Sequence, residues 1–116
     1  MINATFTKES GDFIRLDING HAGQAEIGKD VICSAASILA YTLAQTMLYL
    51  HKQGWLKSKP CVTLKSGRGT ICCHPKDEFF NECLMAFFQA EVGYSLLSEN
   101  YPKYVDIKMF GDPEKD

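Results

Sequence analysis

The sequence predicts an α+β fold in which an antiparallel or mixed sheet carries two helices on one face. Two N-terminal segments alternate apolar and polar residues, a long stretch then follows helical spacing, and the second half shows strand-like segments before another helical stretch. The closing segment at 104–109 is again strand-like. These segments give the order β-β-α-β-β-α-β within one domain spanning residues 1–116, and the short connections favour the antiparallel or mixed sheet with both helices on one face.

The first two segments form a predicted β-hairpin with one buried face. Ile2, Ala4 and Phe6 alternate with polar residues, and the alternation resumes at 14–19 after a turn at 9–12. A second hairpin is predicted from strands at 61–65 and 70–74, which are joined through residues 66–69. The residues expected to face inward from this hairpin are Val62, Leu64, Ile71 and Cys73.

The long helical stretch covers residues 31–51, and Gly54 lies where such a helix would end. One apolar stripe comprises Ala36, Leu39, Ala40, Leu43, Met47 and Leu50. Further apolar residues widen the stripe, so we expect a second surface to be covered by another copy of the chain in a homodimer. The second helix is predicted to begin near Asp77 and Glu78, and Gly93 weakens its last turns.

Composition limits the classes of function. A net charge of -2 and a pI near 5.9 argue against a protein that grips nucleic-acid backbone, although basic residues cluster between Asp30 and Asp77. No apolar stretch is expected to span a bilayer, and residues 1–6 lack a signal-peptide pattern. We therefore expect a cytoplasmic protein with no membrane association and no direct nucleic-acid binding.

Five cysteines without framework spacing favour reduced thiols. Cys61, Cys72, Cys73 and His74 raise the possibility of a zinc site. Neighbouring strand residues face opposite sides, so only Cys72 and His74 would share a face, and no C-x-x-C pair completes a tetrahedral set. We expect neither a metal nor another cofactor.

The stretch 20–33 joins the first hairpin to the long helix and carries the best candidates for chemistry. Asp30 stands at the expected N-cap, which would place Cys33 in the first turn, where unpaired amides favour a thiolate. His21, on the connecting loop, could accept the thiol proton and return it to a leaving amine. Each residue also has a structural interpretation: Cys33 as core, Asp30 as a cap, and Ser37 as a partner of a backbone carbonyl.

These residues also match a known pattern. The segments GHA at 20–22 and GKDVICSAAS at 28–37 resemble the signature of the ribosomal-processing cysteine protease family called Prp. By this resemblance His21 and Cys33 are the catalytic dyad, Gly20 matches the glycine beside the histidine, and Asp30 and Ser37 match the motif's acid and serine. Ser34 and Ala36 depart mildly from the pattern.

The resemblance implies a bacterial cysteine endopeptidase of ribosome assembly. Its substrate would be the N-terminal extension of the large-subunit ribosomal protein numbered twenty-seven, cleaved after a pair of aromatic residues. The segment 22–29 resembles a family loop that orders over bound peptide. The alternative is a non-catalytic, ribosome-associated binding module that uses the basic middle segment.

Overall fold

The computed structural model describes residues 1–22 and 27–112, and for residues 27–30 it describes the backbone alone. The elements follow the predicted order. They are β1 (Ile2–Glu9), β2 (Phe13–Asn19), α1 (Ile27–Lys52), β3 (Cys61–Lys65), β4 (Arg68–Cys73), a single 3₁₀ turn (Asp77–Phe79), α2 (Phe80–Asn100) and β5 (Val105–Lys108). The predicted α+β class is confirmed.

The five strands form one mixed sheet in the order β3-β4-β2-β1-β5. Three neighbouring pairs are antiparallel, whereas β1 and β5 run parallel, with Ile2 opposite Val105. The backbone N–H of Ile2 donates to the carbonyl of Tyr104 at 2.8 Å, which extends this pairing. The last strand, β5, therefore pairs with the edge of β1 that faces away from β2.

One face of the sheet is apolar and packs against both helices. Phe6, Leu16 and Ile71 are fully buried there, at 0–1% exposure, and the alternating residues on the same strands face the other side. The predicted inward set of the second hairpin is also correct, since Val62 and Leu64 pack against this core. The opposite face is polar and includes Arg15, whose guanidinium contacts Asp17 at 2.7 Å.

Helix α1 begins at Ile27, four residues before the predicted start. Gly28 and Asp30 are local signals for a later start, because glycine disfavours helix interiors and aspartate favours caps. Asp30 is therefore not the N-cap, and the prediction that Cys33 lies in the first turn was wrong. The end of the helix was predicted correctly: Lys52 closes it, and Gly54 follows with a φ of 82°.

By length and composition, Val31–Lys52 is long and apolar enough to cross a membrane, so the expectation that no stretch could do so was wrong. Core helices of soluble proteins pass the same test. In this fold Ala40, Leu43 and Met47 belong to the core shared with the sheet, which gives the apolar side of α1 a protein surface to cover.

Helix α2 continues through Gly93, which the sequence predicted to weaken it. The absence of a side chain there allows α1 to come close, since a Cβ on Gly93 would lie 3.0 Å from Leu39 Cδ1. Nearby, Tyr94 is fully buried and its hydroxyl donates to the carbonyl of Ala36 in α1 at 2.7 Å. The two helices are thus joined one turn beyond Cys33.

We predict that Tyr94→Phe lowers the free energy of unfolding by about 1 kcal/mol at neutral pH, because one buried hydrogen bond is lost. Burial raises the pKa of Tyr94 above its ordinary value of 10.0. Above that pH the unfolded chain loses this proton while the folded chain keeps it, so the wild type loses stability there. Denaturant unfolding at several pH values should show the gap between the two proteins narrowing above pH 10.0; a constant gap would contradict this.

Candidate active site

A cavity with a volume of about 380 Å³ lies at one end of the sheet. Three parts of the chain enclose it: the start of β1 with the end of β2 and the residues after β2, the first half of α1, and the β3–β4 hairpin. Its described lining is Ile2, Ile18, Gly20, His21, Cys33, Ala36, Ser37, Ala40, Tyr41, Leu64, Lys65, Ser66, Gly67, Arg68 and Gly69. The cavity brings together four of the five predicted site residues.

Gly20 fixes the chain as it leaves β2. Its φ is 93°, a conformation that glycine adopts readily, and a Cβ at this position would collide with the backbone oxygen of Met1. Its N–H donates to the carbonyl of Gly67 at 2.9 Å. This explains the glycine that the motif carries beside the histidine: a side chain there would push β2 away from the start of β1.

His21 is exposed and stands against the tip of the β3–β4 hairpin. Lys65 pairs with Arg68, so Ser66 and Gly67 form a two-residue turn, in which Gly67 has a φ of 75°. A Cβ on Gly67 would overlap Nε2 of the His21 ring and lie 2.9 Å from Cε1. The bare backbone of this turn therefore leaves the space that the imidazole occupies.

Cys33 and Ser37 lie one turn apart on α1 and both line the cavity. Cys33 is half-buried and packs partly against the core, whereas Ser37 is exposed. As the seventh residue of α1, Cys33 is beyond the four unpaired amides at the helix start. Those amides therefore stabilise the thiolate of Cys33 less than they would stabilise that of a cysteine in the first turn.

Two predicted features lie outside the described residues. The side chain of Asp30 is one of them, so only its backbone position within α1 is known. The loop predicted at 22–29 is the other: it is described at Ala22, which is buried, and again in backbone form from Ile27. The functional roles assigned to Asp30 and to this loop stay predictions.

The sequence did not identify the β3–β4 hairpin or Tyr41 as parts of the site. The Ser66-Gly67 dipeptide signalled a turn, but nothing local shows that this turn reaches His21 across the sheet. Two other aromatic residues lie outside the described lining of the cavity: Phe79 stacks on Trp55 with ring centroids 4.4 Å apart, and Tyr101 follows α2.

The basic middle segment contributes Lys65 and Arg68 to the cavity wall, whose described lining includes no carboxylate. Among the described residues, no group of three or more histidine, cysteine, aspartate and glutamate side chains is placed to hold a metal ion. As expected, Cys72 and His74 share the polar face of the sheet, where His74 stacks on Phe13 with ring centroids 4.1 Å apart. The described polar lining of the cavity therefore offers a thiol, an imidazole, hydroxyls and two cationic side chains.

Solved structures with the same fold cover 95% of this chain. SMU.848 from Streptococcus mutans is 26% identical over 95% of its own chain, with a TM-score of 0.66. The essential ribosomal processing protease Prp from S. aureus is 18% identical over 99% of its chain. Its structure with a covalently linked product peptide matches at a TM-score of 0.68, and its structure with a substrate peptide matches at 0.67. No curated protein sequence matches significantly.

A sequence model of the family described as cysteine protease Prp matches residues 1–106. The match includes both hairpins, both helices and all of the described lining of the cavity. With the fold, the site and this match in agreement, the chain belongs to the Prp family of ribosomal-processing cysteine proteases.

Proposed function

We propose that this chain is a cysteine endopeptidase, forming a single protease domain over residues 1–116, in which Cys33 is the nucleophile and His21 its general base. The observation that carries the proposal is that His21 and Cys33, which belong to different elements, line the same cavity. The family is one of cysteine proteases, and its chemistry needs a thiol with a nearby proton acceptor.

The reaction is an acyl transfer in two stages. His21 takes the proton of the Cys33 thiol, and the thiolate sulfur bonds to the carbonyl carbon of the scissile peptide. The C–N bond then breaks, and His21 gives its proton to the leaving amine, which leaves a thioester on Cys33. Water, deprotonated by His21, attacks this thioester, releases the acid and restores the thiol.

Because Cys33 lies in the second turn of α1, the helix dipole and His21 contribute to the activation of its thiol in different proportions from those that the sequence predicted. A helix dipole acts mainly within the first turn, so its effect on Cys33 is smaller than the sequence indicated. His21 therefore supplies most of the activation in this proposal. Asp30 and Ser37 are proposed to support the site, Ser37 by facing the substrate from one turn below the thiol.

The proposed substrate is the N-terminal extension of the bacterial large-subunit ribosomal protein numbered twenty-seven, cut after two aromatic residues in the cytoplasm during ribosome assembly. The S. aureus structures with substrate and product peptides support a peptide as the ligand class. Ile18, Tyr41 and Leu64 offer an apolar part of the cavity wall on which aromatic side chains would pack.

Removing either member of the proposed dyad should abolish cleavage without unfolding the protein. With a peptide that copies the aromatic pair and its flanks, we predict that Cys33→Ala lowers kcat/KM by on the order of 10³-fold or more. His21→Ala should lower it by on the order of 10²-fold or more. Chromatography with mass spectrometry of the products would give both rates and the cleaved bond.

The buried Cys83 provides the matched control, because it is a thiol outside the cavity. Cys83→Ala should cleave the peptide at a rate close to that of the wild type once folding is verified by circular dichroism. Cleavage that survives in Cys33→Ala would refute the nucleophile assignment. A wild type that binds the peptide without cutting it would instead favour the non-catalytic binding module.

The turn at Gly67 gives an independent test of the position of His21. Gly67→Ala places a Cβ on the His21 ring and also strains a positive φ. Gly54→Ala is its control, since Gly54 has a φ of 82° and its nearest neighbour would be Lys76 Nζ at 4.0 Å. We predict that both lose about 1–3 kcal/mol of stability.

Only Gly67→Ala should also lose activity, by on the order of tenfold or more, because a displaced imidazole no longer meets the thiol and the peptide. Cleavage rates below the melting temperature of each variant, compared with wild type, would measure this. Equal cleavage rates in the two variants would show that the turn does not position His21.

We further propose that two copies associate through the outer faces of α1 and α2. Large apolar side chains are exposed along both helices: Val31, Ile38, Tyr41, Tyr49, Met85, Phe88, Val92 and Leu96. Ile38 and Leu39 share a shallow cavity of about 170 Å³ with Ala86 and Ala90, so the two apolar faces adjoin. A second copy is the proposed partner because a two-fold axis would bring this apolar surface of one copy against the same surface of the other.

Light scattering at micromolar concentration should therefore give twice the mass of 13.0 kDa. Ile38→Glu, which puts a charge on a side chain that is 61% exposed, should shift the protein to the monomer without unfolding it. Thr63→Glu, at an exposed position on the polar face of the sheet, is the control and should leave the mass unchanged. A monomeric wild type would remove the proposal.

A further inference from the structure

The polar face of the sheet carries a pair of cysteines that the proposed protease chemistry does not use. Cys61 on β3 and Cys72 on β4 are directly opposite each other in the antiparallel register. Their strand neighbours Val62, Ile71 and Cys73 point into the core, so both thiols face the side away from the helices. The sequence showed the two residues but not that they are cross-strand partners.

The backbone already holds this pair at a separation suited to a disulfide. Opposite residues in antiparallel strands have Cα atoms about 4.5–5.5 Å apart, and disulfides join residues whose Cα atoms are about 4.4–6.8 Å apart. The hairpin keeps Cys61 and Cys72 in register through four further pairs up to the Ser66-Gly67 turn. Joining the two sulfurs therefore needs side-chain rotation rather than a change of fold.

The two thiols differ in access to solvent. Cys61 is exposed on β3, which is an edge strand, whereas Cys72 is 8% exposed between β3 and Arg15 of β2. Burial raises the pKa of the Cys72 thiol, while the Arg15 guanidinium acts against that rise. An oxidant reaches Cys61 first, and Cys72 is the sheltered thiol beside it.

We propose that Cys61 and Cys72 are a site of reversible oxidative modification, at which a hydroperoxide converts the two thiols into a cross-strand disulfide. The Cys61 thiolate attacks the peroxide oxygen, the O–O bond breaks, and a sulfenic acid forms with release of water or an alcohol. The Cys72 sulfur then displaces hydroxide from that sulfenic acid, and a proton from the Cys72 thiol completes the water that leaves.

The other thiols are not placed for this reaction. Cys73 faces the core, where it lies against Cys83 of α2, and both are almost fully buried. Cys33 lines the cavity at the opposite end of the hairpin, which is the end that carries Gly67. The site is therefore separate from the proposed nucleophile, and its test does not depend on protease activity.

The experiment exposes reduced wild-type protein to a small excess of hydrogen peroxide, removes the peroxide, and blocks the remaining thiols with N-ethylmaleimide under denaturing conditions. Mass spectrometry of the intact chain should show three N-ethylmaleimide adducts where the reduced chain has five. Apart from the adducts, the chain should be lighter by about 2 Da, since two hydrogen atoms leave. It should also show a tryptic cross-link between the peptide holding Cys61 and the peptide holding Cys72. Dithiothreitol should remove the cross-link.

Variants that each replace one cysteine identify which two sulfur atoms form the cross-link. Cys61→Ser, which changes an exposed side chain, and Cys72→Ser should both abolish the cross-link, whereas the control Cys73→Ala should retain it. A link from Cys61 to Cys33, a link between two copies of the chain, or a sulfinic acid on Cys61 with Cys72 still alkylated would each overturn the proposal. A cross-link that disappears only in Cys73→Ala would also overturn it.

Discussion

The hydrogen bond from the N–H of Gly20 to the carbonyl of Gly67 holds the two sides of the candidate site together. It joins the end of β2 to the tip of the β3–β4 hairpin and so fixes the backbone directly before His21. Both partners are glycines with positive φ, because the chain must turn sharply on each side of the contact. The histidine thus owes its position to backbone geometry on two separate segments, while the thiol is positioned by the packing of a helix.

That helix is held at several points near the thiol. Ile32, directly before Cys33, is buried in the core, and Ala36 accepts the hydroxyl of Tyr94 from α2. The close approach at Gly93 brings α2 near enough for this bond. Cys33 is therefore carried on a turn of α1 that both the core and α2 hold in place, whereas His21 is exposed and held from two loop segments.

The fold could be predicted from the sequence largely because its signals are periodic and local. Alternation marked β1 and β2, and the stripe from Ala36 to Leu50 marked α1, so class and order followed. The start of α1 was wrong because Gly28 and Asp30 locally favour a later start, although the helix begins at Ile27. Gly93, predicted to weaken the last turns of α2, lies within the helix for a tertiary reason that the sequence does not show, its contact with Leu39.

The site was predictable only in part, because it too depends on contacts between elements that are distant in the sequence. His21 and Cys33 stand out by residue type and by their match to a family motif, and they do line one cavity. Tyr41, Leu64 and Gly67 carry no chemical mark in the sequence, because their role comes from where the hairpin and the helix meet. The pairing of Cys61 with Cys72 depends on strand register, which the spacing of cysteines does not reveal.

The beginning of the chain lies beside the cavity, and this has a practical consequence. The carbonyl of Met1 would touch any side chain at residue 20, and Ile2 is part of the cavity wall. Residues added before Met1 would emerge at the mouth of the site, where they could fold back as a tethered peptide at high local concentration. A purification tag at that end would compete with the peptide being assayed, so the opposite end is the better place for one.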